Sequence, residues 1–179
     1  SAAAILIVTN TWNIVMGGSM GHAEHVKTIE KIVQIGMPFQ MLVVCGNNKK
    51  MQMHVEKFAA RYNGNCVIRP YGFVHNVEVM MSASDCIISK PGGLTVSEAL
   101  AKNLPMLLAD PIPGHEERNV DFLVNNGMAA LITKHFPVDE AVYELFTNPV
   151  RLETVRHTMK AVAHPDATER LADFVLALQ

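Results

Sequence analysis

Short apolar runs alternate with longer amphipathic stretches along this chain, the pattern of repeated strand–helix units. The apolar runs predict strands over 12–16, 40–45, 66–69, 85–89, 106–109 and 129–132. Between them, helical spacing predicts helices near 20–35, 48–62, 76–82, 94–103, 116–126 and 138–146, with two more near 149–162 and 166–178. Strands separated by helices must run parallel, and their crossovers are right-handed. The expected fold class is therefore α/β, a Rossmann-like doubly wound parallel sheet of about six strands. In such a sheet ligands gather outside the carboxyl ends of the strands, so the loops that follow each strand hold the candidate chemistry.

At 179 residues, with no repeat, low-complexity tract or evident linker, residues 1–179 read as one domain. The formal charge of −2, with basic residues scattered along the sequence, gives no nucleic-acid footprint. No apolar run approaches the roughly 18–20 residues of a membrane span. The opening 1–9 holds a short apolar run without a basic leader. Cys45, Cys66 and Cys86 each sit in or beside a strand-like run, and an odd count without Cys-x-x-Cys spacing points to buried thiols in a cytoplasmic protein.

Four loops stand out. Gly17-Gly18-Ser19-Met20-Gly21 follows a strand and opens a helix, where glycines admit a ligand to the backbone. Ser19 is placed to cap that helix, whose free N–H groups favour a phosphate. The run lacks the Gly-Lys-Ser/Thr ending of a P-loop and the spacing of the dinucleotide fingerprint. The second loop, from Ser89 through Lys90-Pro91-Gly92-Gly93-Leu94-Thr95 to Glu98, again joins a strand to a helix. Glu98, expected in the first turn, either accepts hydrogen bonds from ribose hydroxyls, or complements the helix dipole or a capping box with Thr95.

The third loop runs from Asp110 through Pro113-Gly114-His115-Glu116-Glu117-Arg118-Asn119. Its polar cluster either bonds sugar hydroxyls or forms a solvated first helical turn. His115-Glu116 lacks the second histidine of a zinc-protease motif, and the three-residue spacing of His22 and His25 reads as a surface rather than a metal pair. No metal site is expected. The fourth loop, Tyr71-Gly72-Phe73-Val74-His75-Asn76, sets an apolar pair beside backbone that would suit a flat base.

Taken together, these loops resemble the C-terminal domain of family 28 glycosyltransferases. That family includes the peptidoglycan lipid-linked N-acetylglucosaminyltransferase, monogalactosyldiacylglycerol synthases and processive diacylglycerol glucosyltransferases. The run KPGGLTVSEALAKNLPMLLADPIPGHEERNVDFLVNNGMA looks closest to the diacylglycerol branch, where a Pro-Gly-Gln-Glu-type segment and a following Asn are typical. With GGSMG and YGFVHNVEVMMSASDCIISK, the resemblance covers residues 12–135. His115 departs from it, standing where those enzymes usually have Gln, which bears on the sugar.

The resemblance implies the C-terminal, donor-binding half of a two-domain GT-B enzyme. Glu98 would bind the ribose, and Gly93, Leu94 and Thr95 the diphosphate. Gly18 and Ser19 would face the distal phosphate or the hexose. Phe73 and Val74 would flank the uracil. His115, Glu116, Glu117 and Asn119 would lie nearest the transferred hexose. The partner substrates implied are a UDP-sugar and a lipid acceptor such as diacylglycerol, with transfer by inversion and no cofactor or metal. The resemblance would place the general base in an N-terminal domain not expected within this sequence, so the isolated domain should bind donor without turnover. The parent protein would be cytoplasmic and peripheral on the membrane. Alternatives are a free-standing donor-binding subunit of a split UDP-GlcNAc transferase, and a non-catalytic nucleotide-sugar-binding module.

Overall fold

The computed structural model describes residues 12–17 and 22–162. Six strands form one parallel sheet in the spatial order β3-β2-β1-β4-β5-β6. They are β1 (Trp12–Met16), β2 (Phe39–Val44), β3 (Val67–Tyr71), β4 (Cys86–Ser89), β5 (Met106–Leu108) and β6 (Ala129–Leu131). The crossovers are α1 (His22–Gln34), α2 (Lys49–Arg61), α3 (Val77–Ser82), α4 (Gly93–Ala101) and α5 (Glu117–Asn125), and α6 (Val138–Thr147) and α7 (Pro149–Val162) follow β6. The fold class is the one expected. The helix expected over 166–178 lies outside the described residues.

Central strands of such a sheet have helices on both faces, so they are apolar without alternation. Cys86-Ile87-Ile88-Ser89 and Met106-Leu107-Leu108 are buried at every position. Successive residues serve opposite cores. Ile14, Met41, Val43, Cys86, Ile88 and Leu107 face the core built with α1, α2 and α6. Leu42, Ile87, Met106 and Leu108 face the core built with α3, α4 and α5. Helix α7 spans both, giving Leu152 to the first and Met159 to the second. Arg156 ties it to Asp85, just before β4, at 3.1 Å.

Strand β3 runs two residues further than the apolar pattern suggested, through Pro70 and Tyr71, which pair with Val43 and Val44. Proline argues against a central strand because it cannot donate to the ladder, but β3 is an edge, where the missing N–H has no partner to lose. The pairing continues past the strand, with the Cys45 N–H donating to Tyr71 O at 2.7 Å. Helix α5 ends with Gly127 at φ +69° and the Met128 N–H returned to Leu123 O at 2.9 Å, which buries Met128.

The three cysteines are free and buried. Desolvation, helped by the Glu56 charge, pushes the Cys45 thiol up to about 11. Burial likewise raises Cys86, with Asp85 adding to the effect. Both are packing residues, since the reactive thiolate is suppressed.

The two-sided core makes a clear contrast in stability. Ile88→Ala, at a fully buried position in the sheet centre, should lower the urea-unfolding free energy by about 2–5 kcal/mol. Val67→Ala, on the exposed side of edge strand β3, should change it by about 1 kcal/mol or less.

Candidate functional site

The strand order reverses between β1 and β4. Helix α1 leaves β1 toward one face, burying Ile29 and Ile32, while α4 leaves β4 toward the other, burying Val96 and Ala99. Neither helix covers the strand ends between them, and this is where open α/β sheets bind ligands. The start of the β1 loop is fastened there, because the Gly17 N–H donates to Ile88 O at 3.2 Å. Gly18 and Ser19, expected to face a phosphate or hexose, lie outside the described residues.

On the other side of the crevice, Ser89 is buried and its hydroxyl donates to Lys90 O at 3.1 Å. Gly92 is the extended N-cap residue of α4 and brings no side-chain cap. The N–H groups of Gly93, Leu94 and Thr95 are therefore the first donors of a nine-residue helix, with no intrahelical acceptor. A Cβ at Gly93 would meet nothing within 4 Å, so the helix start is open to a ligand. Leu94 beside it is 83% exposed.

Two expectations about this helix are corrected. Glu98 is its sixth residue, in the second turn rather than the first, roughly 7.5 Å along the axis from Gly93. Thr95 is not a cap, because α4 begins two residues before it, and the capping box is ruled out. The Glu98 side chain is exposed and has no intramolecular hydrogen bond or ion pair among the described residues.

The β5–α5 loop leans back onto the β4–α4 loop. Asp110 opens it at φ +45°, a left-handed conformation uncommon outside glycine and best tolerated by Asp and Asn, and Gly114 follows at φ +79°. One oxygen of Glu116 accepts the Ile112 N–H at 2.7 Å, while the other lies 3.6 Å from where a Cβ of Gly92 would stand. Asn119 Nδ2 donates to Pro91 O at 2.8 Å. Asn119 thus holds the two loops together and Glu116 braces its own loop beside the start of α4, while His115 and Glu117 are exposed.

Farther along the same edge, Phe73 is 60% exposed and meets His75 edge-on at 4.9 Å, with Val74 half-buried beside it. Strand spacings of about 4.8 Å put the β3 and β5 loops roughly 19 Å apart, with the β1 and β4 loops between them. The turn after β2, Cys45-Gly46-Asn47-Asn48, also lies on this crest and was absent from the predicted loops. Its signals were a glycine, found at φ +56°, and Asn48, which caps α2 by accepting the Met51 N–H at 3.0 Å.

His25, expected on a surface, is fully buried on the inner side of α1. Among the described residues no three His, Cys, Asp or Glu side chains form a group able to hold a metal. None of the described helices is long and apolar enough to cross a membrane.

Residues 14–171 match the glycosyltransferase family 28 C-terminal domain. The processive diacylglycerol beta-glucosyltransferase of Bacillus pumilus (strain SAFR-032) is 29% identical over 149 residues, covering 83% of this chain and 38% of that protein. Its counterpart in Bacillus subtilis (strain 168) is 28% identical, over 91% of this chain and 42% of its own. The chain thus spans about two fifths of the length of these curated relatives. In fold, the crystal structure of Acinetobacter baumannii MurG is similar at a TM-score of 0.76 and 23% identity, over 94% of this chain and 50% of that one. The crystal structure of Os79 from O. sativa in complex with UDP is similar at 0.60 and 17% identity, over 84% of this chain and 35% of that one. The match along nearly the whole chain, carried on the reversed parallel sheet, leads to one assignment: the chain belongs to glycosyltransferase family 28 and corresponds to its C-terminal domain.

Proposed function

We propose that this domain binds the nucleotide-sugar donor, a UDP-hexose, in the crevice between the β1 and β4 loops. In the whole protein the hexose then passes with inversion to diacylglycerol or a related lipid. The observation that carries this reading is the uncapped start of α4 at the switch point of the sheet. Its free N–H groups and dipole suit a diphosphate. Support for the chemistry comes from relatives named as diacylglycerol beta-glucosyltransferases and from a fold neighbour solved with UDP.

On this reading Gly93, Leu94 and Thr95 hold the diphosphate, and Gly18 and Ser19, which lie outside the described residues, take the distal phosphate or the hexose. Glu98 accepts the ribose hydroxyls, and Phe73 and Val74 flank the uracil. His115, Glu116, Glu117 and Asn119 border the hexose. The acceptor oxygen attacks the anomeric carbon as the bond to the diphosphate breaks, and its proton passes to a base in the other half of the protein. A beta product from an alpha-linked donor requires that one displacement to invert. Helix-start N–H groups aimed at the leaving diphosphate stabilise its growing charge, so the reaction needs no divalent metal. Membrane association of the whole protein is peripheral, at the bilayer that holds the acceptor.

Calorimetric titration of the chain with UDP should show binding that survives EDTA, and GDP should bind at least about tenfold more weakly. Equal affinity for both nucleotides would remove the uracil assignment. Glu98→Ala should weaken UDP by about 1–3 kcal/mol, and unchanged affinity would reject the ribose contact. Asn119→Ala separates positioning from sugar contact. If it acts through Pro91, affinity for UDP and for UDP-glucose should fall by similar factors, roughly 3–10-fold. A loss confined to UDP-glucose would place Asn119 on the hexose alone.

A further inference from the structure

The basic residues that look scattered in sequence are gathered by the fold. Helices α1 and α2 carry six lysines and arginines against three glutamates, whereas residues 72–162 carry seven against eleven acidic residues. The two helices lie side by side on one face of the sheet, burying Ile29, Ile32, Met51 and Val55 inward. Lys27, Lys31, Lys49, Lys50, Lys57 and Arg61 are all exposed. None of the six is in an ion pair among the described residues. The described pairs, Arg151 with Glu144 and Arg156 with Asp85 and Glu153, all belong to the acidic part of the domain. Glu56, the acid of α2, accepts a hydrogen bond from its neighbour Gln52 at 3.0 Å.

Apolar surface is interleaved with these cations. Met53 is 50% exposed in the middle of α2. Toward the end of that helix an open groove of about 420 Å³ is lined by His54, Lys57, Phe58, Arg61, Tyr62 and Asn63, with Phe58 and Tyr62 stacked at 6.0 Å. Five of the six cations are lysines, the residue type depleted at protein–protein interfaces. Long, exposed cationic side chains around a shallow apolar strip suit an anionic bilayer: the charges stay among headgroups while methionine and ring edges enter the boundary.

We propose that the α1–α2 face is the surface by which this domain rests on an anionic lipid bilayer. The proposal builds on the reading above, in which the acceptor is a lipid, and adds which face of the donor domain meets the membrane. Helix α2 starts beside the crest and runs back along the sheet for about 18–20 Å, so this face lies alongside the nucleotide crevice and leaves it open.

The test is co-sedimentation of the 179-residue chain with vesicles of phosphatidylcholine alone or mixed with phosphatidylglycerol, with UDP affinity measured on the same samples. Binding should require phosphatidylglycerol and be lost when salt rises from about 0.1 M to 1 M. A near-surface cation contributes about fivefold to partitioning, so the double reversal Lys57→Glu with Arg61→Glu should lower it at least about 25-fold. Lys27→Glu with Lys31→Glu, on the other helix, should act in the same direction and keeps the test open should the first pair fail to fold. Lys134→Glu, exposed but outside this face, should change partitioning by less than about fivefold. UDP affinity should stay unchanged in all three variants.

Binding to phosphatidylcholine alone, no binding to either vesicle, or an equal loss in Lys134→Glu would overturn the proposal. So would retention by single-stranded RNA as tight as by the anionic vesicles, which would mark a general polyanion surface. Vesicle binding without UDP binding would reject the donor-site reading and leave the membrane face standing. UDP binding without vesicle binding would do the reverse.

Discussion

The constraint on which the rest of this domain depends is the reversal of strand order between β1 and β4. Because β2 and β3 are laid down on one side of β1 while β4, β5 and β6 extend on the other, right-handed crossovers put α1 and α2 on one face and α3, α4 and α5 on the other. That single topological fact demands strands apolar on both sides, explains why two separate cores exist, and leaves the carboxyl ends of β1 and β4 uncovered. The open crevice follows from covering both faces with helices whose departures diverge. The Gly17 N–H to Ile88 O bond closes the gap between the two strands at their carboxyl ends.

Above that floor the site is a set of mutually braced loops. Asn119 and Glu116 are polar residues whose first partners are protein backbone, at Pro91 and Ile112. A carboxylate that already accepts one N–H keeps its second oxygen for a ligand, and Glu116 points that oxygen toward Gly92. The β5 loop thereby holds the start of α4 in place, while the strained backbone at Asp110 turns the chain back over the crevice. The donors of α4 are preorganised by neighbours on a different strand, which is the condition for helix-start electrostatics to act without reorganisation.

Much of this was legible in the sequence, for identifiable reasons. Continuous apolar runs such as Cys86-Ile87-Ile88 announce strands buried on both faces, and glycine or proline after them announces the turns. What was missed depends on three-dimensional position. Pro70 looked like a strand end because edge status cannot be read from the strand itself. His25 looked like a surface residue because its neighbours in sequence are polar, yet the inward stripe of α1 includes it. The Glu98 alternatives turned on where α4 begins, and helix boundaries are the least determined feature of a pattern. The basic face was invisible because its cations lie on two helices separated by a strand, and only packing brings them together. The site roles of the loop residues came from the family likeness; their spacing alone left them divided between ligand contact and helix chemistry.

The distribution of charge along the crest also bears on how a nucleotide sugar would lie in it. Glu98, Asp110, Glu116 and Glu117 all stand near a position proposed for a diphosphate, which at first sight opposes an anion. Magnitudes resolve the difficulty. In water two unit charges repel by about 0.4 kcal/mol at about 10 Å and by about 0.8 kcal/mol at about 5 Å, the range of Glu116 beside Gly92, and salt screens both at the surface. An anion at a helix start gains about 0.3–1 kcal/mol from the dipole, up to about 2 in partly buried geometry, in addition to direct N–H hydrogen bonds. On the proposed reading the diphosphate therefore sits at the start of α4, where contacts are short, on the side turned from the Glu116 carboxylate. Carboxylates are acceptors suited to hydroxyl groups, so the sugar end belongs on the β5 side. The exposed ring of Phe73, on the β3 side where acids are absent from the loop, is left for the base. Charge and aromaticity together thus orient the proposed ligand along the crest, base toward β3 and hexose toward β5.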